Sequence, residues 1–376
     1  MRPRAGNRCV STNPMSHLAP IALDGSQHSG SGTLVRQAIA LAAILGRPLQ
    51  LYNIRVRRQP PGLRPQHLKA VEAVAELVDA DVQGARVDSS QLWFVPRRPP
   101  RGGTYHWDIG TAGSATLLIG TVLPVLAFAD APTQARVCGG LFQDFAPTFF
   151  HLRHALLPLL ARMGIEAHLE MMRPGYVPRG GGEVLLHVTP LRKPLQPLQL
   201  TAQGRPVRVF GYALASHLKA RRVAQRMAER CRQHLRAAGL PEPELEILED
   251  TSAYQPGAAL AVFIETNTGA RLGADRAGAP GRPSEAIADD VAYQLLEDLQ
   301  RGATVDRFLA DQLLPYVALA QGNSAYYIPA VTDHVASSQW LVAYLTGAVV
   351  HLEDHRLGVD GIGQAPYPIR KPAKLT

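Results

Sequence analysis

The sequence has no long apolar run and few cysteines, and each of these features excludes some classes of protein. No stretch reaches the roughly 18 apolar residues that span a bilayer, and the longest candidate, 115–129, is interrupted by Pro124. The three cysteines, Cys9, Cys138 and Cys231, are too widely separated to predict a disulfide framework or a zinc site. We therefore expect a globular, cytoplasmic protein without a membrane partner.

Lysine is scarce as well, because arginine supplies most of the 39 basic residues. With 31 acidic residues the formal net charge is +8, which favours an anionic partner such as a nucleotide or a nucleic acid. A coding bias toward arginine would produce the same charge without such a partner, so the placement of the arginines must decide. The absence of a Gly-Lys-Ser/Thr motif excludes a P-loop.

The first part of the chain alternates between short strands and helices. Residues 21–25 predict a strand that enters a turn of small residues at 25–33, and a helix is predicted at 34–45. A second strand is predicted at 49–58 and a second helix at 68–78. Small residues before a helix allow main-chain N–H groups to approach an anion, so the turn is a candidate anion site.

This pattern recurs along the chain with a period of about 80 residues. It predicts an α/β (α+β) fold of three repeated β-α-β-α-β-β units. A stretch rich in proline and glutamine at 190–206 precedes a change in composition, which predicts a small inserted α/β domain. The predicted divisions are a disordered N-terminal extension at 1–18, repeats one and two at 19–188, the insert domain with its flanking linkers at 189–280, the third repeat at 281–360 and a C-terminal tail at 361–376.

Several arginines converge around one predicted turn. Arg55, Arg57, Arg58 and Arg64 are close in the sequence, and Arg36 is near the start of the preceding helix. Guanidinium groups gathered beside a turn of small residues suit a polyphosphate or the 3′ end of an RNA. A solvated basic loop would contain the same residues, and the sequence alone leaves both interpretations open.

A late histidine is the candidate reactive group. His334 follows an extended apolar run and precedes a helix predicted at 337–345. Asp333 or a neighbouring hydroxyl, such as that of Thr332, could orient the imidazole ring and leave one nitrogen free to react. A histidine before a helix is also common as a capping or surface residue, so its position alone assigns no catalytic role.

Six segments of the chain together resemble one enzyme family. The segments are Leu23-Asp24-Gly25-Ser26-Gln27, residues 54–67, Gly110-Thr111-Ala112-Gly113-Ser114, residues 175–182, residues 309–315 and Thr332-Asp333-His334. They occur in the order seen in the RNA 3′-terminal phosphate cyclases, and the chain resembles that family over about residues 19–355. The Arg-Gly-Gly-Gly and Ala-Asp-Gln-Leu-Leu elements are the most distinctive of the set.

The resemblance implies a fold and a reaction. The family's fold has three repeats of a unit like the C-terminal domain of translation initiation factor 3, with a further domain inserted in the third. Its members use ATP to convert an RNA 3′-phosphate into a 2′,3′-cyclic phosphate, and they release AMP and pyrophosphate. A histidine is adenylylated, AMP passes to the RNA phosphate, and the adjacent 2′-hydroxyl closes the ring. The implied partners are ATP, Mg²⁺ or Mn²⁺, an RNA with a 3′-phosphate end, and a second copy of the chain in a homodimer.

The resemblance also implies roles for individual residues. His334 matches the family's nucleophile. The residues matched to nucleotide or phosphate binding are Arg36, Arg55, Arg58, Gln66, Asp311 and Gln312. The candidates for contact with RNA phosphate are Arg57, Arg64 and Arg179. No residue is assigned to the metal.

Two positions depart from the family's pattern. Ser29 replaces a glutamate that helps to hold metal and nucleotide, and Gly120 replaces a glutamine expected near the adenine or ribose. An alternative prediction is therefore a non-catalytic relative that binds or processes RNA and has a decayed ATP site. His334, which that branch lacks, favours the enzyme. A third interpretation, an enolpyruvyl-type transferase built from a similar unit, lacks its signature residues here.

Overall fold

The computed structural model describes residues 19–370, so the predicted extension at 1–18 and the last residues of the predicted tail lie outside the described residues. Within 19–370 the chain forms four four-stranded sheets with helices packed against them, which confirms the mixed α/β class. No helix in this range is long and apolar enough to cross a membrane.

The first unit is one mixed sheet and two helices. Its elements are β1 (Ile21–Asp24), α1 (Gly32–Leu45), β2 (Leu49–Tyr52), α2 (Pro65–Val78), β3 (Asp81–Gln83) and β4 (Leu92–Val95). The strand order is β1-β2-β4-β3, in which β1 and β2 are parallel and the other pairs are antiparallel. Strand β2 ends at Tyr52 and not at Arg58 as predicted, because Asn53 and Arg55 adopt left-handed φ angles of 54° and 53° that turn the chain out of the sheet.

The second unit repeats this arrangement of strands. Its elements are β5 (Thr104–Asp108), α3 (Ala115–Ala127), β6 (Thr133–Gly139), α4 (Phe149–His151), a π-helical segment (Leu152–Leu156), α5 (Leu157–Arg162), β7 (Glu166–Arg173) and β8 (Gly182–Thr189). The strand order is β5-β6-β8-β7, again with one parallel and two antiparallel pairs. The apolar run that begins at Ala115 is a buried helix, as predicted.

A separate sheet follows the short strand β9 (Gln199–Leu200). Its elements are β10 (Pro206–Ser216), α6 (Val223–Ala237), β11 (Glu244–Asp250), β12 (Gly257–Thr266), β13 (Arg271–Ala277) and α7 (Ser284–Gln300). The strand order is β11-β10-β12-β13, and these elements share a hydrophobic core of their own. Helix α7, which the predicted divisions place in the third repeat, packs against α6 and β13 in this core.

The third unit combines β9 with the end of the chain. Its further elements are α8 (Leu309–Gln312), α9 (Leu314–Leu319), β14 (Gln321–Tyr327), α10 (Asp333–Thr346), β15 (Val349–Glu353) and β16 (Arg356–Ile362). The order β9-β14-β16-β15 matches that of the first two sheets, with β9 and β14 parallel and the rest antiparallel. A repeated unit would produce this common order, while the relation to translation initiation factor 3 stays a prediction.

Helix α1 holds the units together at the place where the candidate residues meet. It is apolar on nearly every side and packs against α2, α3 and α10 in the larger of the two cores. Burial on all sides is typical of a central helix, which no single sheet covers alone. The starts of α1 and α10 are therefore held next to each other.

Candidate active site

His334 lies in the first turn of α10, at the mouth of a cavity. Thr332 caps the helix by accepting a hydrogen bond from the main chain of Val335 at 3.2 Å. This cap fixes where the helix begins and therefore where His334 projects. The Nδ1 atom of His334 lies 3.4 Å from Oγ1 of Thr33, a residue 301 positions earlier in the chain. The first and third units of the fold therefore meet at His334.

The electrostatic surroundings of His334 favour a neutral imidazole. Partial burial, followed by the positive charges of Arg36 and Arg58, lowers the pKa of His334 below its ordinary value of 6.5, and Asp333 opposes this shift. A lower pKa keeps the ring neutral, with a free lone pair, over a wider range of pH. The geometry is therefore suited to a nucleophilic histidine.

The turn of small residues is bound directly to α10. Ser31 caps α1 by accepting a hydrogen bond from the main chain of Thr33 at 3.3 Å. The main chain of Ser29 donates to Oγ of Ser337 at 3.1 Å, and the hydroxyl oxygens of these two serines lie 2.8 Å apart. These contacts set the N-terminus of α1, which attracts anions, beside His334.

Arg36 and Asp311 are oppositely charged residues of the cavity wall. A guanidinium nitrogen of Arg36 donates to Oγ1 of Thr33 at 3.2 Å. Burial lowers the pKa of Arg36 to about 10, against the opposing effect of Asp311. Burial raises the pKa of Asp311 to about 7, against the opposing charge of Arg36. Arg36 is therefore a cation placed one contact away from His334, through Thr33.

The arginines of the predicted basic turn do converge. Arg55 donates to the main-chain oxygens of Pro60 and Gly62 at 3.0 and 2.8 Å. Burial, and then the nearby charges of Arg64 and Arg58, lower the pKa of Arg55. The charges of Arg64 and Arg58 thus lie close enough to Arg55 to repel it, and a bound anion would relieve this repulsion.

Arg58 and Arg64 belong to this cluster, and Arg57 lies beside it. Arg58 donates to the main-chain oxygen of Ser29 at 3.0 Å, and Arg57 donates to that of His28 at 2.8 Å. Both are exposed, and their hydrogen bonds run to the turn of small residues. Arg64 differs, because it forms an ion pair with Asp88. Its charge is thus partly neutralised.

Gln66 and Arg179 occupy different places from this cluster. Gln66 accepts a hydrogen bond from the main chain of Ser114 at 3.2 Å, so it links the first unit to the small-residue turn of the second. Arg179 donates to the main-chain oxygen of Tyr254 at 3.1 Å, and its own main chain donates to Gln255 at 3.0 Å. Arg179 is therefore held by the separate sheet's loop.

A cavity of about 380 Å³ opens beside His334. Its walls are largely apolar and come from all the units, including Leu41, Pro124, Leu152 and Pro315. The residues among its lining whose side-chain oxygens are buried without a hydrogen-bond partner in the described structure are Gln37, Gln312 and Tyr316. An apolar recess with a few unpaired polar atoms is typical of a site for a small ligand.

Phe145 projects from the rim of this cavity. Its ring is fully exposed, at 101% of the reference area, and its φ angle of 64° is in the left-handed region. A non-glycine residue in this conformation at the edge of a site suggests a functional constraint. Sequence reasoning missed Phe145, Gln37 and Thr33, because nothing local distinguishes them from ordinary helix and loop residues.

A family model, described as RNA 3′-terminal phosphate cyclase, matches residues 27–352 of the chain. The match spans the turn of small residues, the cavity and His334, and covers well over half of the sequence. The chain belongs to the RNA 3′-terminal phosphate cyclase family.

Relatives described as RNA 3′-terminal phosphate cyclase agree with this assignment. The protein of Korarchaeum cryptofilum is 38% identical over 322 residues, which cover 86% of this chain and 91% of the relative. The protein of Hyperthermus butylicus is 38% identical over 362 residues, with coverage of 92% and 99%. That of Pyrococcus abyssi is 36% identical over 341 residues, with coverage of 91% and 97%.

The fold comparison is much weaker. A solved structure of EPSP synthase from Acinetobacter baumannii aligns with 60% of this chain and 56% of its own, at 10% identity and a TM-score of 0.24. A similarity of this size carries no argument about the chain.

Metal ligands are not clustered in this member of the cyclase family. Among residues 19–370, no group of three histidine, cysteine, aspartate or glutamate side chains is arranged to hold a metal ion. The hydroxyl of Ser29 is hydrogen-bonded to the hydroxyls of Ser31 and Ser337.

Proposed function

We propose that this cyclase-family protein converts RNA 3′-phosphate ends into 2′,3′-cyclic phosphates with ATP as the energy source. The carrying observation is the position of His334, which stands at the mouth of an apolar cavity with Arg36 on the cavity wall and the arginine turn beside it. This arrangement supports an adenylyl-His334 intermediate, with release of pyrophosphate and then AMP.

In this proposal the cavity binds the base of ATP and the arginines bind its triphosphate. An adenine base suits the apolar recess, where the unpaired side-chain oxygens of Gln37 and Gln312 could accept hydrogen bonds from its amino group. The triphosphate would then extend past His334 toward Arg36, Arg55 and Arg58. Guanidinium groups stabilise the negative charge that gathers on a leaving pyrophosphate.

In the first step the ring of His334 attacks the α-phosphorus. With the hydrogen on Nδ1 and directed at Thr33, the lone pair of Nε2 is free to form the nitrogen–phosphorus bond. The bond from the α-phosphorus to the bridging oxygen breaks, and pyrophosphate leaves. Thr33 and Arg36 hold the ring and the phosphate in place through their shared hydrogen bond.

In the second step an oxygen of the RNA 3′-phosphate attacks the adenylyl phosphorus. The nitrogen–phosphorus bond breaks, His334 is regenerated, and the RNA carries an anhydride to AMP. The adjacent 2′-hydroxyl then attacks the RNA phosphorus, loses its proton and expels AMP as the ring closes. The candidates for the RNA phosphate are Arg57, Arg64 and Arg179. Arg57 and Arg179 donate to main-chain oxygens, and Arg64 is paired with Asp88.

The bound metal ion, the cellular location and the oligomeric state are also proposals. Mg²⁺ or Mn²⁺ would neutralise phosphate charge when bound; among residues 19–370 no group of three histidine, cysteine, aspartate or glutamate side chains is arranged to hold it. Family membership supports a role in RNA processing or repair in the cytoplasm. The same resemblance supports a homodimer.

The replacement of the first-turn glutamate by Ser29 favours a second candidate function. A hydroxyl that is engaged by Ser31 and Ser337 offers little to a metal or a triphosphate. A protein with a weakened ATP site could still bind RNA through its arginine turn. We therefore keep a non-catalytic RNA-binding or RNA-processing factor as the alternative.

A product assay separates these two functions. RNA with a 3′-phosphate is incubated with the protein, ATP and either metal, and the ends are tested for resistance to phosphatase. We expect cyclic ends only with ATP, and none with His334→Asn. The matched control is His355→Asn, since His355 is an exposed histidine with a left-handed φ of 67°, which asparagine adopts readily. RNA binding without any cyclic product would establish the alternative.

A further inference from the structure

Three aromatic rings form a stack on the surface beside the proposed catalytic histidine. The rings of His28 and Trp340 have centroids 5.1 Å apart at an interplanar angle of 42°. Trp340 in turn stacks on Tyr344, with centroids 5.7 Å apart and an angle of 15°. His28 is exposed, Tyr344 has 51% of its area exposed, and Trp340 is half-buried between them.

The stack begins where the RNA end would be processed. Trp340 and Tyr344 lie on α10, about 9 and 15 Å along the helix axis from His334. His28 belongs to the turn whose Ser29 is bound to α10 through Ser337. His28 therefore lies beside the start of α10, which contains His334, and the other two rings follow along the same helix.

Positive charge accompanies the stack at its His28 end. Arg57 donates to the main-chain oxygen of His28 at 2.8 Å, and Arg58 donates to that of Ser29 at 3.0 Å. Both arginines bind carbonyl oxygens and not carboxylates here, so their charges are available to an anion. Exposed aromatic rings beside cationic groups are the means by which proteins bind single-stranded nucleic acid.

The structural contact made by Tyr344 does not explain why the residue is exposed to solvent. The hydroxyl of Tyr344 donates to the main-chain oxygen of Ala22 at 2.8 Å, which ties α10 to strand β1. That contact needs only the hydroxyl group, yet half of the Tyr344 ring faces solvent. Nucleobases have two flat apolar faces and would cover such a surface.

We propose that His28, Trp340 and Tyr344 form a stacking platform for the unpaired nucleotides immediately 5′ of the RNA 3′-phosphate. The proposal rests on the proposed function, because it takes the direction of the RNA from His334. It assigns recognition to stacking and to phosphate charge, both of which tolerate any base sequence. The platform therefore selects a single-stranded end and not a particular sequence.

Equilibrium binding of labelled RNA tests the platform without catalysis. Fluorescence anisotropy is measured without ATP on a single-stranded RNA with a 3′-phosphate, and on the same RNA with abasic sites at the nucleotides next to its 3′ end. We expect Trp340→Leu and Tyr344→Ala to weaken binding of the intact RNA by about tenfold each. On the abasic RNA, which has no bases to stack, the same changes should cause little further loss.

Two further variants complete the design. Tyr344→Phe keeps the ring and removes only the bond to Ala22, so it should bind like the unaltered protein. Tyr293→Ala is the matched control, because Tyr293 is exposed to a similar extent, 60%, and its ring packs beside His234 at a tilt of 56° on the separate sheet's helices. This control should leave RNA affinity unchanged.

The outcomes distinguish this proposal from the proposed function. An equal loss of affinity for intact and abasic RNA, no loss at all, or a loss with Tyr344→Phe as large as with Tyr344→Ala would each overturn the platform. Adenylylation from ATP alone, which requires no RNA, tests the function separately. A platform that binds RNA in a protein that never adenylylates would leave this inference standing and remove the cyclase activity.

Discussion

Gly32 and His67 are packed so closely that a single added methyl group should disturb the site. Gly32 is the first residue of α1, and a Cβ atom placed there would lie 2.1 Å from Nε2 and 2.7 Å from Cδ2 of His67. The imidazole has little freedom to move, because it is 3% exposed and its Nδ1 accepts a hydrogen bond from the main chain of Arg64 at 3.1 Å. Gly32→Ala therefore forces either the ring or α1 to shift.

The cost follows from these contacts. Overpacking of a buried site costs about 1–3 kcal/mol, and loss of the hydrogen bond between Arg64 and His67 adds about 0.5–1.5 kcal/mol. The higher helix propensity of alanine offsets about 1 kcal/mol of this loss of stability. We expect the free energy of unfolding to fall by about 0.5–3.5 kcal/mol. ATP-dependent labelling should fall as well, since Thr33 follows Gly32 directly.

Urea unfolding of five proteins measures this effect: the unaltered protein, Gly32→Ala, Gly120→Ala, His67→Ala and the double variant Gly32→Ala/His67→Ala. Gly120→Ala is the matched control, because Gly120 lies inside α3 and an added Cβ would meet nothing within 4 Å, so the change should be neutral or stabilising. The other comparison places Gly32→Ala in a His67→Ala background, where its cost should nearly vanish. If Gly32→Ala were as stable as the unaltered protein, or cost the same without His67, the packing argument would be wrong.

Three further predictions concern the nucleotide site. The neutral ring of His334 is the nucleophile, and its pKa is lowered by burial and by the charges of Arg36 and Arg58. Labelling of the protein by ATP should therefore be lost on acidification only below about pH 6.5. Arg58→Met removes one of these charges and should move the midpoint of the pH–rate profile upward. Gly120→Gln should tighten ATP binding about three- to tenfold, because residue 120 lines the cavity with open space around it and one amide hydrogen bond is worth about 0.5–1.5 kcal/mol. Calorimetry measures the change, and an unchanged Kd would contradict this prediction. Phe145→Ala should weaken ATP binding by up to about tenfold if its ring covers the base, without lowering stability, since the ring is fully exposed; unchanged ATP affinity would remove Phe145 from the site.

Much of the fold was predictable because its helices carry strong local signals. The helix predicted at 34–45 is α1, where Ser31 caps the start and Gly46 ends it with a φ of 62°. Apolar spacing and caps act within a few residues, so sequence alone reveals them. The packing of α7 against α6 could not be found this way, because it depends on contacts between distant segments.

The arginine turn shows where local reasoning fails. Alternating residues from Leu49 to Arg58 predict a strand, but left-handed Asn53 and Arg55 end it early and turn the guanidinium of Arg55 back to the carbonyl of Gly62. A strand would have placed Arg55 and Arg57 on one face and Arg58 on the other. The gathering of the cations was therefore predicted correctly from proximity, and its conformational cause was not.

The candidate site was predictable residue by residue only where motifs marked it. His334 was identified by its place before a helix and by the family resemblance, and the structure sets it at a cavity mouth. Its contact with Thr33 spans 301 positions and left no signal in either segment. The roles of Gln66, Asp311 and Gln312 stay predictions, although the last two line the cavity.

The most direct test of the account is a search for the adenylyl group on His334. The protein is incubated with α-labelled ATP and a divalent metal, denatured, digested and analysed by mass spectrometry. The account predicts AMP on the peptide that contains His334, through a bond stable to alkali and labile to acid, and no AMP on folded His334→Asn protein. An unlabelled protein, or a label on another residue that persists in His334→Asn, would contradict the central claim.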